Sequence, residues 1–256
     1  MSDARRDYLA QLGIDVYVRR GLAEPVDAAA DLAPEMSAPA ATVVPTSLPA
    51  SPAARQASLA AAGDDTVASM DWPALRARVA ACTLCGLHTT RTQTVFGVGN
   101  PNADWLVIGE APGAEEDARG EPFVGRAGGL LNSMLAAIGL KREQVFIANI
   151  LKCRPPGNRD PKPEEAMLCR PYLERQIALI APKIILAVGR IAAQNLLATE
   201  TPIGRLRGRL HQFGVARTPM VVTYHPAYLL RSPGEKRKAW QDLKLAVDTL
   251  ARGSSA

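Results

Sequence analysis

Glu110 stands in the turn Gly109-Glu110-Ala111-Pro112-Gly113, directly after the apolar run Trp105-Leu106-Val107-Ile108. Two glycines and a proline shape a turn that another group can approach closely, and one carboxylate sits inside it. Further on, Asn149 lies near the end of the run VFIANI (145–150), and His225-Pro226 follows the run PMVVTY (219–224). A carboxylate, a carboxamide and an imidazole are groups that move protons and read the edge of a polar ligand. Each is ordinary alone: an Asn near a strand end often bonds loop backbone, and an acidic residue after a turn often caps it. Their shared position, at the ends of apolar runs, is what points to a site.

A second set of residues has ligand chemistry. The four cysteines all lie between Cys82 and Cys169. The two-residue gap between Cys82 and Cys85 lets both thiolates face one centre, with Cys153 following 68 residues later and Cys169 a further 16 on. In a reducing cytoplasm such a set points to a metal site before two disulfides. A zinc knuckle usually shows a second tight pair, so dispersed third and fourth ligands suit an iron–sulfur cluster as well as zinc. Between the last two cysteines, Arg154, Arg159 and Lys162 lie among four prolines. That loop is stiff and basic, fit for phosphate or simply for solvent. Arg205, Arg207 and Arg209 alternate in IGRLRGRLH (203–211). In an extended segment they share one face, which suits DNA phosphates.

The elements that must hold these groups are legible as alternation. Four short apolar runs, 104–109, 145–150, 183–189 and 219–224, are separated by helix-like stretches at 127–140, 162–181 and 190–199, and a last one follows at 235–251. Strands alternating with helices predict an α/β fold, a three-layer sandwich around a central, mainly four-stranded parallel sheet. Such sheets bind ligands at the carboxyl ends of their strands, which is where Glu110, Asn149 and His225 fall.

Residues 24–68 are rich in Ala, Pro and Ser, with prolines at 25, 34, 39, 45, 49 and 52. This composition predicts a disordered tail. The expected division is a short amphipathic docking element at 1–22, a linker at 23–70 and one domain at 71–252. Residues 1–70 carry 5 basic and 9 acidic side chains, and the remainder 25 basic and 16 acidic. A basic C-terminal part suits a phosphate-rich partner. No apolar run is long enough for a bilayer and no signal peptide is evident, so a cytoplasmic monomer without membrane contact is expected.

The GEAPG turn, the segment GEPFVGRAGGLLN (120–132), the segment NILKCRPPGNRDP (149–161), the segment HPAYLLR (225–231) and the cysteine spacing together closely resemble the family 4 uracil-DNA glycosylases. The likeness runs from about residue 78 to 250, with every motif in order. It implies one [4Fe-4S] cluster on Cys82, Cys85, Cys153 and Cys169. It also implies excision of uracil from DNA by hydrolysis, leaving an abasic site for base excision repair, with no lyase activity. The alternative is a catalytically weak DNA-binding or replication-associated module on the same fold.

A glycosylase flips its nucleotide into a pocket. By this resemblance Gly109, Ala111 and Gly113 line the uracil site, Phe123 stacks on the base, and Glu116 bars the C5 methyl of thymine. Uracil offers an N3–H donor and an O4 acceptor; a held Asn149 carboxamide matches both and mismatches cytosine. His225 is expected to donate to O2 of the leaving base. In family 1 relatives the turn carries an Asp that assists water where this chain has Ala111, so Glu110 is the candidate base or stabiliser of the sugar cation. Arg154, Arg205, Arg207 and Arg231 are the expected DNA contacts, and a bacterial, nucleoid-associated location follows. The N-terminal element also resembles the N-terminal peptide of the psi subunit of bacterial clamp loaders, in its Arg-Arg-Asp, Leu-Gly-Ile and Arg-Arg pattern. It is expected to recruit a replication or repair protein.

Overall fold

The computed structural model describes residues 66–253; the expected docking element and nearly all of the linker lie outside them. Six strands form one sheet: β1 (Val98–Gly99), β2 (Trp105–Gly109), β3 (Phe146–Asn149), β4 (Ile184–Val188), β5 (Leu210–Phe213) and β6 (Thr218–Thr223). Their order is β1-β3-β2-β4-β6-β5. The four inner strands are parallel, and the short β1 and β5 add antiparallel edges. The parallel four are the expected ones. The edges escaped the sequence pattern because β1 has only two residues and β5 is half-exposed along its length, so neither presents an apolar run.

Every residue of β2, β3 and β4 is buried, as a sheet covered on both faces requires. Alternate side chains feed two cores. Leu106, Ile108, Phe146, Ala148, Ile185, Ala187 and Met220 face one side, with α4 (Pro163–Ile180) and α5 (Arg190–Leu197) over them. Val107, Ile147, Leu186 and Val221 face the other, under α3 (Arg126–Ala137), α7 (Pro226–Arg231) and α8 (Lys236–Gly253). The three-layer sandwich is therefore present, and α4 runs through Pro171 without ending. Two short helices, α2 (Ala114–Arg119) and α6 (Ile203–Leu206), serve the loops.

A satellite core joins α1 (Trp72–Ala80) to α4 through Leu75, Val79, Phe96 and Tyr172. Val67 belongs to it at 3% exposure, and Arg175 Nε donates to the Met70 carbonyl at 2.6 Å. Val67 and Met70 therefore pack with the domain that follows.

The register aligns the strand ends. Gly109 pairs with Asn149, Ile108 with Ala187, and Val188 with Thr223. From β2 the chain moves outward to β3, then returns across β2 to β4. The crevice at the ends of β2 and β4 is the switch point where open α/β sheets bind ligands.

Candidate functional site

A cleft of about 750 Å³ opens at this switch point, within the range of small-ligand sites. Each inner strand supplies part of its wall: Glu110 to Gly113 after β2, Asn149 from β3, Gly189 and Arg190 after β4, Tyr224 and His225 after β6. The three polar groups singled out in the sequence are therefore brought together.

Asn149 is 2% exposed, and its Oδ1 has no hydrogen-bond partner among the described residues. A buried acceptor left unpaired costs about 1–3 kcal/mol, so it marks a place where a ligand's donor belongs. Gly109 makes room for it: a Cβ there would lie 2.5 Å from Asn149 Oδ1 and 2.6 Å from Phe123 Cζ. Gly109 itself is buried, and the side chains of Asn149 and Phe123 are what stand close to it. Gly113 does line the cleft, and a Cβ on it would lie 2.6 Å from Glu116 Oε2.

His225 is the N-cap of α7, and its Nδ1 accepts from Ala227 N at 3.1 Å. Burial, with Arg231 nearby, pushes its imidazolium down to about 4, against a smaller opposing pull from Glu116. The ring is neutral at physiological pH, and an accepting Nδ1 leaves the proton on Nε2. His225 is thus a neutral N–H donor. Its ring stacks on Phe123, with centroids 5.6 Å apart. Phe123 holds a left-handed backbone, φ 54°, and packs on Gly128, where any Cβ would strike the Phe123 carbonyl at 1.8 Å.

Glu110 faces the cleft, half-buried, and its carboxylate makes no hydrogen bond or ion pair among the described residues. Burial, then the charge of Asp160, raises its carboxyl to about 7, partly opposed by Arg190. Arg190 Nη2 and Asp160 Oδ2 pair at 2.6 Å on the cleft wall. The alternation of runs placed α5 but carried no signal that its first residue, Arg190, meets Asp160 here.

Glu116 also lines the cleft, but its carboxylate is a strut. It accepts from Gly113 N at 3.0 Å, Val124 N at 3.0 Å and Gly125 N at 3.2 Å. It therefore ties the GEAPG turn to the loop that carries Phe123.

The arginines divide. Arg231 is exposed and lines the cleft; Arg205 is exposed on α6, beside the cleft-lining Ile203. Arg154, half-buried, bonds Asn158 at 2.7 Å. Arg207 is a correction to the expected DNA contacts: Ile203–Leu206 is helical and not extended, and Arg207 turns inward. Its guanidinium is bidentate on Asp242 at 2.8 and 3.0 Å, with that carboxylate fully buried. Arg159 is likewise held by Glu165 at 2.6 Å, and Lys238 by Glu235.

All four cysteines line a second, small cavity walled by Val79, Leu87, Leu151 and Tyr172. The donor set fits a thiolate-bound metal centre. Burial raises the thiols of Cys85 and Cys153 and pushes that of Cys169 up to about 12, so these sulfurs become thiolates only against a cationic centre. N–H groups already point at them: Arg91 Nη1 lies 3.0 Å from Cys153 Sγ and Lys152 N 3.3 Å from Cys169 Sγ. No three His, Cys, Asp or Glu side chains among the described residues converge as a single-ion site. Among the described residues no helix is long and apolar enough to cross a membrane.

The sequence is also similar to known proteins. The family model of the uracil DNA glycosylase superfamily matches residues 96–244. The chain is 47% identical over 173 residues to a type-4 uracil-DNA glycosylase of Archaeoglobus fulgidus, covering 65% of this chain and 86% of that protein. It is 42% identical to one of Sulfurisphaera tokodaii, covering 66% and 80%, and 44% identical to one of Thermotoga maritima, covering 60% and 81%.

Proposed function

The chain belongs to the uracil DNA glycosylase superfamily, and from that premise we propose how its cleft works. The protein is a DNA glycosylase: it hydrolyses the N-glycosyl bond of uracil in DNA, as the first step of repair. The observation that carries the assignment of roles is Asn149 Oδ1, unpartnered among the described residues, in a cleft that also holds a neutral His225 and the Glu110 carboxylate.

Uracil flipped into the cleft donates N3–H to Asn149 Oδ1 and accepts at O4 from Nδ2. Cytosine reverses both partners, and close packing against Gly109 and Phe123 opposes rotation of the amide. Phe123 offers its ring on the same wall. Glu116, held by three backbone N–H groups, is a rigid wall against the C5 methyl of thymine, which a mobile side chain would not be. Ala111 and Gly113 complete the wall.

As the C1′–N1 bond breaks, the electron pair stays on the uracil ring, and Nε2–H of His225 donates to the negative O2. A neutral donor held in place beforehand stabilises that charge without giving up its proton. The sugar cation forms beside Glu110. Glu116 and Asp160 already have partners, so Glu110 is the carboxylate left to stabilise the cation and take the proton of the attacking water. The water oxygen bonds C1′, and the uracil anion is protonated from solvent. Arg154, Arg205 and Arg231 meet backbone phosphates.

Cys82, Cys85, Cys153 and Cys169 would hold one [4Fe-4S] cluster; the shared cavity and the N–H groups directed at sulfur support this. Bound there, the cluster supplies four strong cross-links between the end of α1 and the 153–169 segment. Cysteine ligands and a DNA substrate suit a reducing cytoplasm beside the chromosome. Residues 1–22 would recruit a replication or repair partner, so deleting 1–60 should leave cleavage of short oligonucleotides intact. The deciding test is single-turnover cleavage of matched oligonucleotides carrying U, T or C. Alkali-labile cleavage at U alone is expected; tight DNA binding without cleavage would leave the catalytically weak module.

A further inference from the structure

Lys152 is 1% exposed. Its Nζ donates to the Asn149 carbonyl at 2.9 Å and to Gln176 Oε1 at 2.6 Å. Both acceptors are uncharged. Gln176, fully buried, is itself held by donation to the Phe96 carbonyl at 2.9 Å. The Lys152 carbonyl accepts from Val95 N at 2.8 Å, and its own N–H donates to Cys169 Sγ at 3.3 Å. One residue therefore touches a cysteine of the small cavity with its backbone and the uracil-reading strand end with its side chain.

The cysteine contact and the clamp lie on one short stretch of chain: Cys153 follows Lys152 directly, and the Lys152 backbone N–H donates to Cys169 Sγ. Lys152 Nζ takes the carbonyl of Asn149, three residues back, whose side-chain Oδ1 has no partner among the described residues.

We propose that Lys152 is a positioning residue that couples the cysteine site to base recognition: its backbone N–H is tied to Cys169 beside Cys153 while its Nζ clamps the Asn149 carbonyl and so sets the carboxamide that reads uracil. This rests on the uracil-excision reading of the cleft. The coupling has two ends, and loosening the clamp moves both.

The test compares full-length Lys152→Met protein with wild type in three measurements: iron release to a chelator, hydrogen exchange of the segment 147–152, and single-turnover rate and DNA affinity on uracil oligonucleotides. Expected are iron release at least about fivefold faster, exchange accelerated at Ile150 and Leu151, and a rate on uracil lowered about 10- to 100-fold at saturating enzyme, as displacement of a reading group produces. DNA affinity should stay within about twofold, since no phosphate contact is touched. A uracil rate within about twofold of wild type, or iron release unchanged, overturns the coupling. Should Lys152→Met fail to fold, Gln176→Leu removes the second anchor of the ammonium without touching a cysteine or the cleft. It should move both ends the same way by a smaller factor, and movement at one end alone overturns the proposal. Wild type that leaves uracil in place refutes the cleft reading instead; iron release and exchange at 150–151 then still decide whether the two sites are coupled.

Discussion

The cleft and the cysteine cavity lie on either side of the segment 149–153, and they treat polar atoms in opposite ways. In the cleft, among the described residues, Asn149 Oδ1 and the Glu110 carboxylate have no hydrogen-bond partner, and His225 spends Nδ1 on Ala227 N. In the cavity, N–H groups of Arg91 and Lys152 are already directed at sulfur, and the walls are apolar. A site for chemistry keeps polar capacity unmet until the ligand arrives, at a cost of about 1–3 kcal/mol per buried group. A structural site uses its capacity within the fold. The comparison teaches that stability and activity should separate by region.

The sharpest attempt to break that separation is removal of the groups proposed to read the base and donate to it. Asn149→Ala and His225→Ala should each lower single-turnover uracil excision by about 10²–10³, the usual loss for one transition-state donor. Tm should hold, and Asn149→Ala should not lower it, because it removes a buried acceptor left unpaired among the described residues. Loss of Tm in step with activity would merge the two regions.

Glu110→Gln should cost about 10²-fold, at the lower end for a lost general base. It should also flatten the pH profile. Burial and Asp160 raise the wild-type carboxyl to about 7, so the active carboxylate forms as pH rises and the rate should climb through neutrality. His225, pushed down to about 4, stays neutral throughout that window and adds no second limb. A wild-type rate flat between pH 6 and 8 (about one unit either side of the Glu110 midpoint) would remove Glu110 from the proton transfer.

Two arginines sharpen the comparison further. Arg207→Ala leaves Asp242 buried and uncompensated and should destabilise by about 3–5 kcal/mol, as broken buried pairs do; chemical denaturation reads this directly. Its DNA salt dependence should match wild type. Arg231→Ala should leave Tm in place and reduce the slope of log affinity against log salt by about 1. Equal behaviour of the two variants would mean that both face DNA, or that neither does.

The expected apolar runs fall within a residue or two of the four parallel strands, because a strand buried on both faces must be continuously apolar. The helix at Pro163–Ile180 was legible for a related reason: its charged start, its length and its apolar spacing agree. Glu110, Asn149 and His225 were legible as strand-end residues, and the structure brings them to one cleft. The two edge strands were not legible, since a half-exposed strand of two to four residues lacks a run to read.

The sequence by itself determined the layered α/β order and the position of the chemical groups at strand ends. These follow from local periodicity and spacing. Only the tertiary structure decided which partner each side chain takes: Arg207 with Asp242, 35 residues away; Glu116 with the backbone of Val124 and Gly125; Arg190 with Asp160; Lys152 between Asn149 and Gln176. It also decided that the gap at Gly109 is filled by Asn149 and Phe123 from within. Spacing along a chain fixes which face a residue starts from. The group it meets depends on how elements far apart in sequence pack, and on which charges that packing leaves without water.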